Sequence, residues 1–497
     1  MRDLHEEDER RIEGVAVVSW QDNCATLEIR SFGGFILNTE QSSQSDPLCF
    51  MSARELANGY RAGRFTPEDV IQAHLSRIGT LEPQLHAYTE VFSEEAREAA
   101  ARSGRRHIEG RALGPLDGVP VAIKDLIDVE GKICAAGSAT LSGRIAPQTA
   151  ELAERLLANG AILIGKTHTV EFAMGGWGTN AHLGSPRNPW FPDEPYIAGG
   201  SSSGSGVAVA ARTATLAVGT DTGGSVRIPA AFNGIVGLMT TPGLISLEGV
   251  MPLSPSLDTA GPMGRTVLDV ALLFDVLLEV PNPGRLQIND LNAGVGDLRL
   301  AAIAAAELEG VDAELVQAYR ASLRHLQASG AEVSVIDLPR SLRDFQRQSE
   351  IMMAEAYALY GEVAEDPAMQ MDPAVRSRVL AGDMPSRRYI LARERSRQNA
   401  QEMLAALEGY DALLTPTTAM LPIPLAKVDE TTSPSLFTRF VNQLGFCALA
   451  LPNGLTAEGI PTSLQIVCRP HDEHLALRIG RVCEARDPMG GRLPAMC

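Results

Sequence analysis

The sequence has no CxxC pair, no basic run and no long apolar stretch, and each absence closes off a class of function. Seven cysteines are scattered from Cys24 to Cys497, an odd count with no zinc-like spacing, so free thiols in a reducing cytoplasm are expected. The nine histidines show no metal-ligand spacing either, and His471 and His474 read as surface residues leading into a helix. Acidic side chains outnumber basic ones and leave a formal charge of −18, which argues against nucleic-acid or anionic-membrane partners. No uncharged apolar run approaches the roughly 20 residues that span a bilayer. The charged stretch from Met1 to Glu13 lacks the apolar h-region of a signal peptide, so a cytoplasmic protein is expected.

What is present is an ordinary globular composition over 497 residues, with 46 glycines suited to tight turns and close backbone approaches. Residues 1–50 read as an extension of lower motif density, with a short β-like run from Thr26 to Ile29. From 51 to about 490 the chain reads as one body without repeats or linkers. A helix is expected over 52–62. A second starts at the N-cap Thr66 with Pro67 at its first position and runs to about Leu81. Ser93 caps a third, over Glu94–Ala101. The apolar segments Val119–Ile123 and Ala161–Ile164 read as buried strands around a helix from Thr149 to Asn159. Later, Glu350–Tyr360 and Arg387–Leu407 read as amphipathic helices, and Ala412–Thr415 and Thr462–Val467 as strands. Strands alternating with helices predict an α/β fold: a single large domain with a mixed, mostly parallel central sheet flanked by helices.

Residues 198–265 are rich in glycine and serine but poor in charge, and they hold two serine sites. One is Gly199-Gly200-Ser201-Ser202-Ser203-Gly204. The other is Gly219-Thr220-Asp221-Thr222-Gly223-Gly224-Ser225-Val226-Arg227. Glycines before a serine let successive N–H groups converge on one concavity, as an oxyanion hole requires. A nucleophilic serine needs a base, and neither site has a histidine nearby in sequence. A buried lysine of depressed pKa can serve instead. Lys124, at the end of the apolar strand Val119–Ile123, fits that role; the competing reading is a lysine snorkelling from a strand end.

Gly118-Val119-Pro120-Val121-Ala122-Ile123-Lys124-Asp125, the two serine segments, Pro186-Arg187-Asn188-Pro189 and Ser256-Leu257-Asp258-Thr259 together resemble the amidase signature family over residues 52–485. Ser225 lies 24 positions after Ser201, as that family has it. The resemblance implies an amide hydrolase of the amidase signature fold, without cofactor or metal. Ser225 would be the nucleophile. Ser201, in a cis peptide bond, would be the bridging serine, and Lys124 the base. Thr222, Gly223, Gly224 and Ser225 would supply the oxyanion hole. Met174, Gly175, Gly176 and Trp177 resemble the family's substrate-side loop. Arg227 reads mainly as a partner of Asp221, with substrate contact as the alternative. Met352, Met353, Tyr357 and Tyr360 read as core, with a pocket wall as the alternative. Two departures, Ser203 in place of a glycine and Met239-Thr240-Thr241-Pro242 in place of Lys-Pro-Thr, are expected to alter the rim of the site.

The resemblance leaves the substrate open among small-molecule amides, carbamates and ureido acids, and leaves room for a homodimer. Two rival readings stand beside it. One is an esterase of the α/β-hydrolase type, since Gly200-Ser201-Ser202-Ser203-Gly204 satisfies GxSxG with Ser202 as nucleophile. It lacks the buried strand that such an elbow follows. The other is the glutaminase-type component of an amidotransferase complex, which would use the same relay. A phosphate-binding glycine loop is disfavoured, because the block has no Walker Lys-Ser/Thr pair.

Overall fold

The computed structural model of the chain describes the backbone of residues 17–21 and 24–28, and residues 47–278, 290–486 and 492–497 in full. The chain divides into two compact units, Met1–Ser45 and Asp46–Cys497. Within the first, β1 (Val17–Gln21) and β2 (Cys24–Glu28) pair as an antiparallel hairpin. Of the expected Thr26–Ile29 run, Thr26 to Glu28 lie on the second strand of this pair, and Ile29 lies outside the described residues. The expected boundary at residue 50 moves earlier, because Pro47–Phe50 is a 3-10 turn of the larger unit. Cys49 is fully buried there, with its Sγ 3.1 Å from His74 Nδ1. The ring of Phe50 lies under the guanidinium groups of Arg77 and Arg212.

The larger unit is a mixed sheet of eleven strands flanked by helices. In chain order its strands are β3 (Tyr88–Val91), β4 (Pro120–Lys124), β5 (Ile162–Thr167), β6 (Leu216–Asp221), β7 (Val236–Met239), β8 (Thr259–Gly264), β9 (Arg299–Ile303), β10 (Glu332–Ile336), β11 (Ala412–Pro416), β12 (Cys447–Leu455) and β13 (Pro461–Cys468). Their spatial order is β10-β9-β11-β13-β12-β7-β8-β6-β4-β5-β3. Parallel pairing is confined to β10-β9-β11 and to β6-β4-β5. The strands between them, and the β3 edge, pair antiparallel. Parallel pairing is thus less dominant than expected, since β12 and β13 form a hairpin that apolar runs alone do not reveal. Both faces of the inner strands are covered, and β4, β5, β6 and β11 are buried at every residue.

The helices expected from Ser52 and Thr66 form where those caps place them, whereas Ser93 is the first residue of its helix and not its cap, with Phe92 at the N-cap and no side-chain hydrogen bond there. Ser52 and Thr66 each close a capping box, with Glu55 and Asp69 respectively. The second helix runs past the expected stop at Leu81 to Leu85, and carries Pro83 in its last turn before His86 ends it in the left-handed region. The third extends to Ile108. The glycine- and serine-rich block is explained by packing. The helix Ser203–Ala210 is buried all round, and a Cβ on Gly204 would lie 2.2 Å from the carbonyl oxygen of Ala87. No helix among the described residues is long and apolar enough to cross a membrane.

The position of Cys49 and Phe50 yields the first prediction. A chain beginning at Ser52 loses both and should melt several degrees below one beginning at Asp46, by calorimetry of the two proteins. Equal melting temperatures would show that this turn contributes nothing to the larger unit.

Candidate active site

The parallel strands β4 and β6 end side by side, and their C-terminal ends carry the candidate catalytic residues, the usual place for a site in α/β sheets. Lys124 is the last residue of β4 and is fully buried. Its Nζ donates to Ser201 Oγ at 2.7 Å and to Thr220 Oγ1 at 2.7 Å. Among the described residues it makes no ion pair. Burial drives its pKa down to about 7, against the opposing pull of Asp221 and Asp258. The adjacent Asp125 faces the other way, as strand alternation requires. It forms an ion pair with the buried Lys166 at 3.2 Å and accepts the Ala135 N–H.

The loop after β6 is organised by the carboxylate of Asp221. It accepts the N–H groups of Gly224 at 2.7 Å and Val226 at 3.0 Å. It also takes Arg227 Nε at 3.0 Å, Arg227 Nη2 at 2.9 Å and Asn442 Nδ2 at 2.9 Å. Burial would raise its pKa, but the Arg227 charge and these hydrogen bonds outweigh burial and hold it at about 2. Arg227 spends its remaining donors on the Thr438 carbonyl, Gln465 Oε1 and Asn442 Oδ1. All five guanidinium N–H groups are thereby satisfied and the side chain has no exposed surface. Arg227 is a structural residue, and the alternative of substrate contact is corrected. Gly224 is corrected in part as an oxyanion donor, because its N–H is committed to Asp221. Its φ of +127° and the 2.2 Å from an added Cβ to Thr438 Oγ1 explain the glycine. Among the described residues the N–H groups of Thr222, Gly223 and Ser225 carry no hydrogen bond to another protein group.

The Gly200–Ser201 peptide bond is cis. Immediately after it, the Ser202 N–H donates to the Ser225 carbonyl at 3.1 Å, which holds the two serine segments together. The Ser202 hydroxyl donates to the Thr220 carbonyl and accepts the Thr220 N–H, and the residue is fully buried. That position answers the GxSxG reading, since Ser202 presents no hydroxyl to a cavity. Ser225 does: it is 7% exposed and opens on a cavity of about 70 Å3. Its own hydroxyl has no protein hydrogen-bond partner among the described residues, so the structure holds the lysine-to-Ser201 link and leaves the Ser201-to-Ser225 link unmade.

Met174, Gly175 and Gly176 line this cavity as expected, facing Ile228, Leu253 and Met352. Trp177 does not. It is buried behind the wall against Ile197, Ile228 and Phe232, with its indole N–H on the Thr432 carbonyl at 3.0 Å. Met352 is the wall residue of its apolar run, whereas Tyr360 is buried and stacks on Phe172. The two departures from the family pattern are interior, not at the rim. Ser203 is fully buried, and Thr241 is tied to Glu473 by its N–H and hydroxyl. Among the described residues no three His, Cys, Asp or Glu side chains gather as a metal site would need.

Two polar residues of the site are given no role by the sequence analysis. Asp258 accepts the Thr222 hydroxyl at 2.6 Å and the N–H groups of Leu253 and Ser254, and burial lifts its pKa to about 6. Arg439 lines the cavity from a short helix more than two hundred residues after Ser225 in the chain. Nothing in its local sequence marks it.

The amidase model matches residues 69–477. The chain belongs to the amidase family. Curated amidase-family relatives include the 2-amino-5-chloromuconic acid deaminase of Comamonas testosteroni, 36% identical over 88% of this chain and 96% of the relative. They also include the GatA-type component of the glutamyl-tRNA(Gln) amidotransferase of Chloroflexus aggregans, 36% identical over 87% of this chain and 96% of the relative. Among solved structures, a 6-aminohexanoate cyclic dimer hydrolase complexed with substrate superposes with a TM-score of 0.80 at 26% identity, covering 90% of this chain and 99% of that one. The peptide amidase of Stenotrophomonas maltophilia gives 0.75 at 28% identity, covering 89% and 98%. This amidase is thus an amidohydrolase with a mixed-sheet α/β body.

The saturation of Arg227 makes the second prediction. Arg227→Met strands the buried Asp221 carboxylate and should cost about 3–5 kcal/mol of stability in denaturant titration. Any loss of kcat should accompany that destabilisation. A raised KM at unchanged stability would instead return Arg227 to the substrate.

Proposed function

We propose that this amidase cleaves a small-molecule amide through an acyl-enzyme on Ser225, with Lys124 as the base and Ser201 as the relay between them. The observation that carries the reading is the buried Lys124 held by Ser201 Oγ at 2.7 Å without a carboxylate partner. A lysine near its ordinary pKa would be almost wholly charged at neutral pH and unable to accept a proton. Burial removes that obstacle. With substrate bound, the Ser225 proton passes to Ser201, whose own proton passes to Lys124. The N–H groups of Thr222, Gly223 and Ser225 receive the developing oxyanion. The lysine then returns a proton to the leaving amine, and water repeats the sequence to release the acid. Carbamates and ureido acids present the same acyl carbon and fall within this chemistry.

A fluorophosphonate should label Ser225. Label on Ser202 would restore the esterase reading. Ser225→Ala should lower kcat by several orders of magnitude with the fold intact, by circular dichroism. Ser201→Ala should be milder, because a water can take the place of the bridging hydroxyl.

The pH profile provides a separate test. Lys124 is competent only when neutral, so activity should fall about tenfold per unit below pH ~7 and level off above it. Lys124→Ala should remove most activity at neutral pH, and the remainder should grow with hydroxide. Asp258 titrates near the same range but with an opposite lesson. Its negative charge favours the protonated lysine, so Asp258→Asn should move the acid limb to lower pH. Disappearance of the limb in Asp258→Asn, with Lys124→Ala unaffected, would assign the limb to the aspartate and overturn the lysine base.

The identity to the amidotransferase relatives gives a second reading, in which the same relay releases ammonia for a partner. Turnover of simple amides by the purified chain alone decides between them.

A further inference from the structure

Three arginines approach the nucleophile, and they differ in how their charge is met. Arg227 is saturated by Asp221. Arg378 lines the Ser225 cavity but pairs with Glu430 at 2.6 Å and donates to the Met174 carbonyl at 2.8 Å. Arg439 lines the same cavity and pairs with no carboxylate among the described residues. Its Nη1 donates to the Gln346 carbonyl, while its Nε is enclosed and has no hydrogen-bond partner. Burial and the nearby Arg378 charge depress its pKa to about 10, and no neighbouring acid opposes them.

Its position is equally particular. The Nε lies 3.9 Å from where a Cβ on Gly223 would stand, so the guanidinium rests against the middle of the loop that presents the free N–H groups. Thr222, Met352 and Arg439 also line a second cavity, formed with Leu257, Gln348 and Gln443. The acid on that second wall, Glu350, is engaged by Arg388 at 3.7 Å and Arg395 at 3.9 Å. The space beside Ser225 therefore holds an uncompensated positive charge in a chain whose net charge is −18. A guanidinium whose enclosed Nε has no partner is expensive to keep unless an anion visits it. The anion that matches its planar fork is a carboxylate.

We propose that Arg439 is the substrate's carboxylate anchor, and that this amidase acts on short amides carrying a free carboxylate within a few bonds of the scissile carbonyl. The inference rests on Ser225 being the nucleophile. An acidic protein gains from such a device, since the overall field repels anions and a local cation must recover them. The carboxylate can belong to the acyl half, as in a dicarboxylic acid monoamide, or to the amine half, as in an N-acyl amino acid.

The test uses the full-length protein and the rate at which a fluorophosphonate labels Ser225. Succinamate and N-acetylglycine, the two carboxylate placements, are compared with the neutral succinamide and N-acetylglycinamide as protectants. At least one carboxylate should protect about 30-fold or more tightly than its neutral partner, the range of a hydrogen-bonded charge pair. The one that does identifies the half of the substrate that bears the acid. In Arg439→Gln that ratio should fall towards one, and Arg439→Lys should restore part of it. Because protection is read as a ratio within each variant, a slower-labelling variant still reports. Equal protection by acid and neutral compounds in the wild type, or a ratio unchanged in Arg439→Gln, overturns the anchor while leaving the nucleophile in place. Absence of label on Ser225 in every arm overturns the nucleophile assignment, and this inference with it.

Discussion

The carboxylate of Asp221 is the point on which the site is hung. It sits at the last residue of β6, fully buried, and takes hydrogen bonds from the loop N–H groups, from Arg227 and from Asn442. Each partner belongs to a different piece of chain. Gly224 and Val226 define the nucleophile loop, Arg227 starts the helix behind it, and Asn442 comes from the far end of the sequence. A buried ion pair gains little net stability against desolvation, but its geometry is demanding, and removing one partner is costly. Here that demand fixes the path of the chain around Ser225. Gln465 on β13 and the Thr438 carbonyl complete the Arg227 shell. The nucleophile loop is therefore held from both halves of the sheet.

That arrangement sets the problem of the base. Asp221 and Asp258 both lie close enough to favour a charged Lys124, and either alone would work against catalysis. Two features restrain them. The Asp221 charge is already matched by Arg227, and the Asp258 carboxylate is engaged by the Thr222 hydroxyl and the Leu253 and Ser254 N–H groups. Desolvation then wins, and the lysine is left near the middle of the physiological range. The second buried lysine makes the contrast. Lys166 has the same burial but meets Asp125 at 3.2 Å and the Ile127 carbonyl, and so has a structural task, joining β5 to the loop after β4. Two lysines on neighbouring strands thus sit in different electrostatic settings, since among the described residues one has a carboxylate partner and the other does not.

How much of this could be read beforehand follows from where the information lies. Caps, proline positions and apolar runs are local, so the helices beginning at Ala53 and Pro67 and the strands β4 and β5 appeared near their true places. The antiparallel middle of the sheet did not: β8 pairs with β6 and β7, and β12 with the following β13 and with the distant β7, and no apolar run discloses those pairings. In the site, the spacing of Lys124, Ser201 and Ser225 is carried by motifs that a sequence displays. The fate of individual N–H groups is not. Gly224 and its neighbours look alike as residues, yet Asp221 claims the Gly224 N–H and leaves the others free. Trp177 misled for a related reason: an aromatic beside two glycines suggests a loop at the substrate, whereas its indole fills the layer beneath.

Arg439 shows the limit most clearly, because its meaning lies in what it lacks. An arginine in a sequence of 61 acidic residues is expected to have a carboxylate neighbour, and only coordinates reveal one without. Arg378 has the same residue type and lines the same cavity, yet Glu430 neutralises it and its donors brace the Met174 carbonyl. The two arginines thus divide the wall between them. One stiffens the apolar side, where Met174, Gly175 and Gly176 shape the space, and the other leaves a charge exposed to whatever enters. A cavity so built would discriminate by size on one side and by sign on the other. Ser225, the proposed nucleophile, lies between, where a substrate held at both ends would meet it.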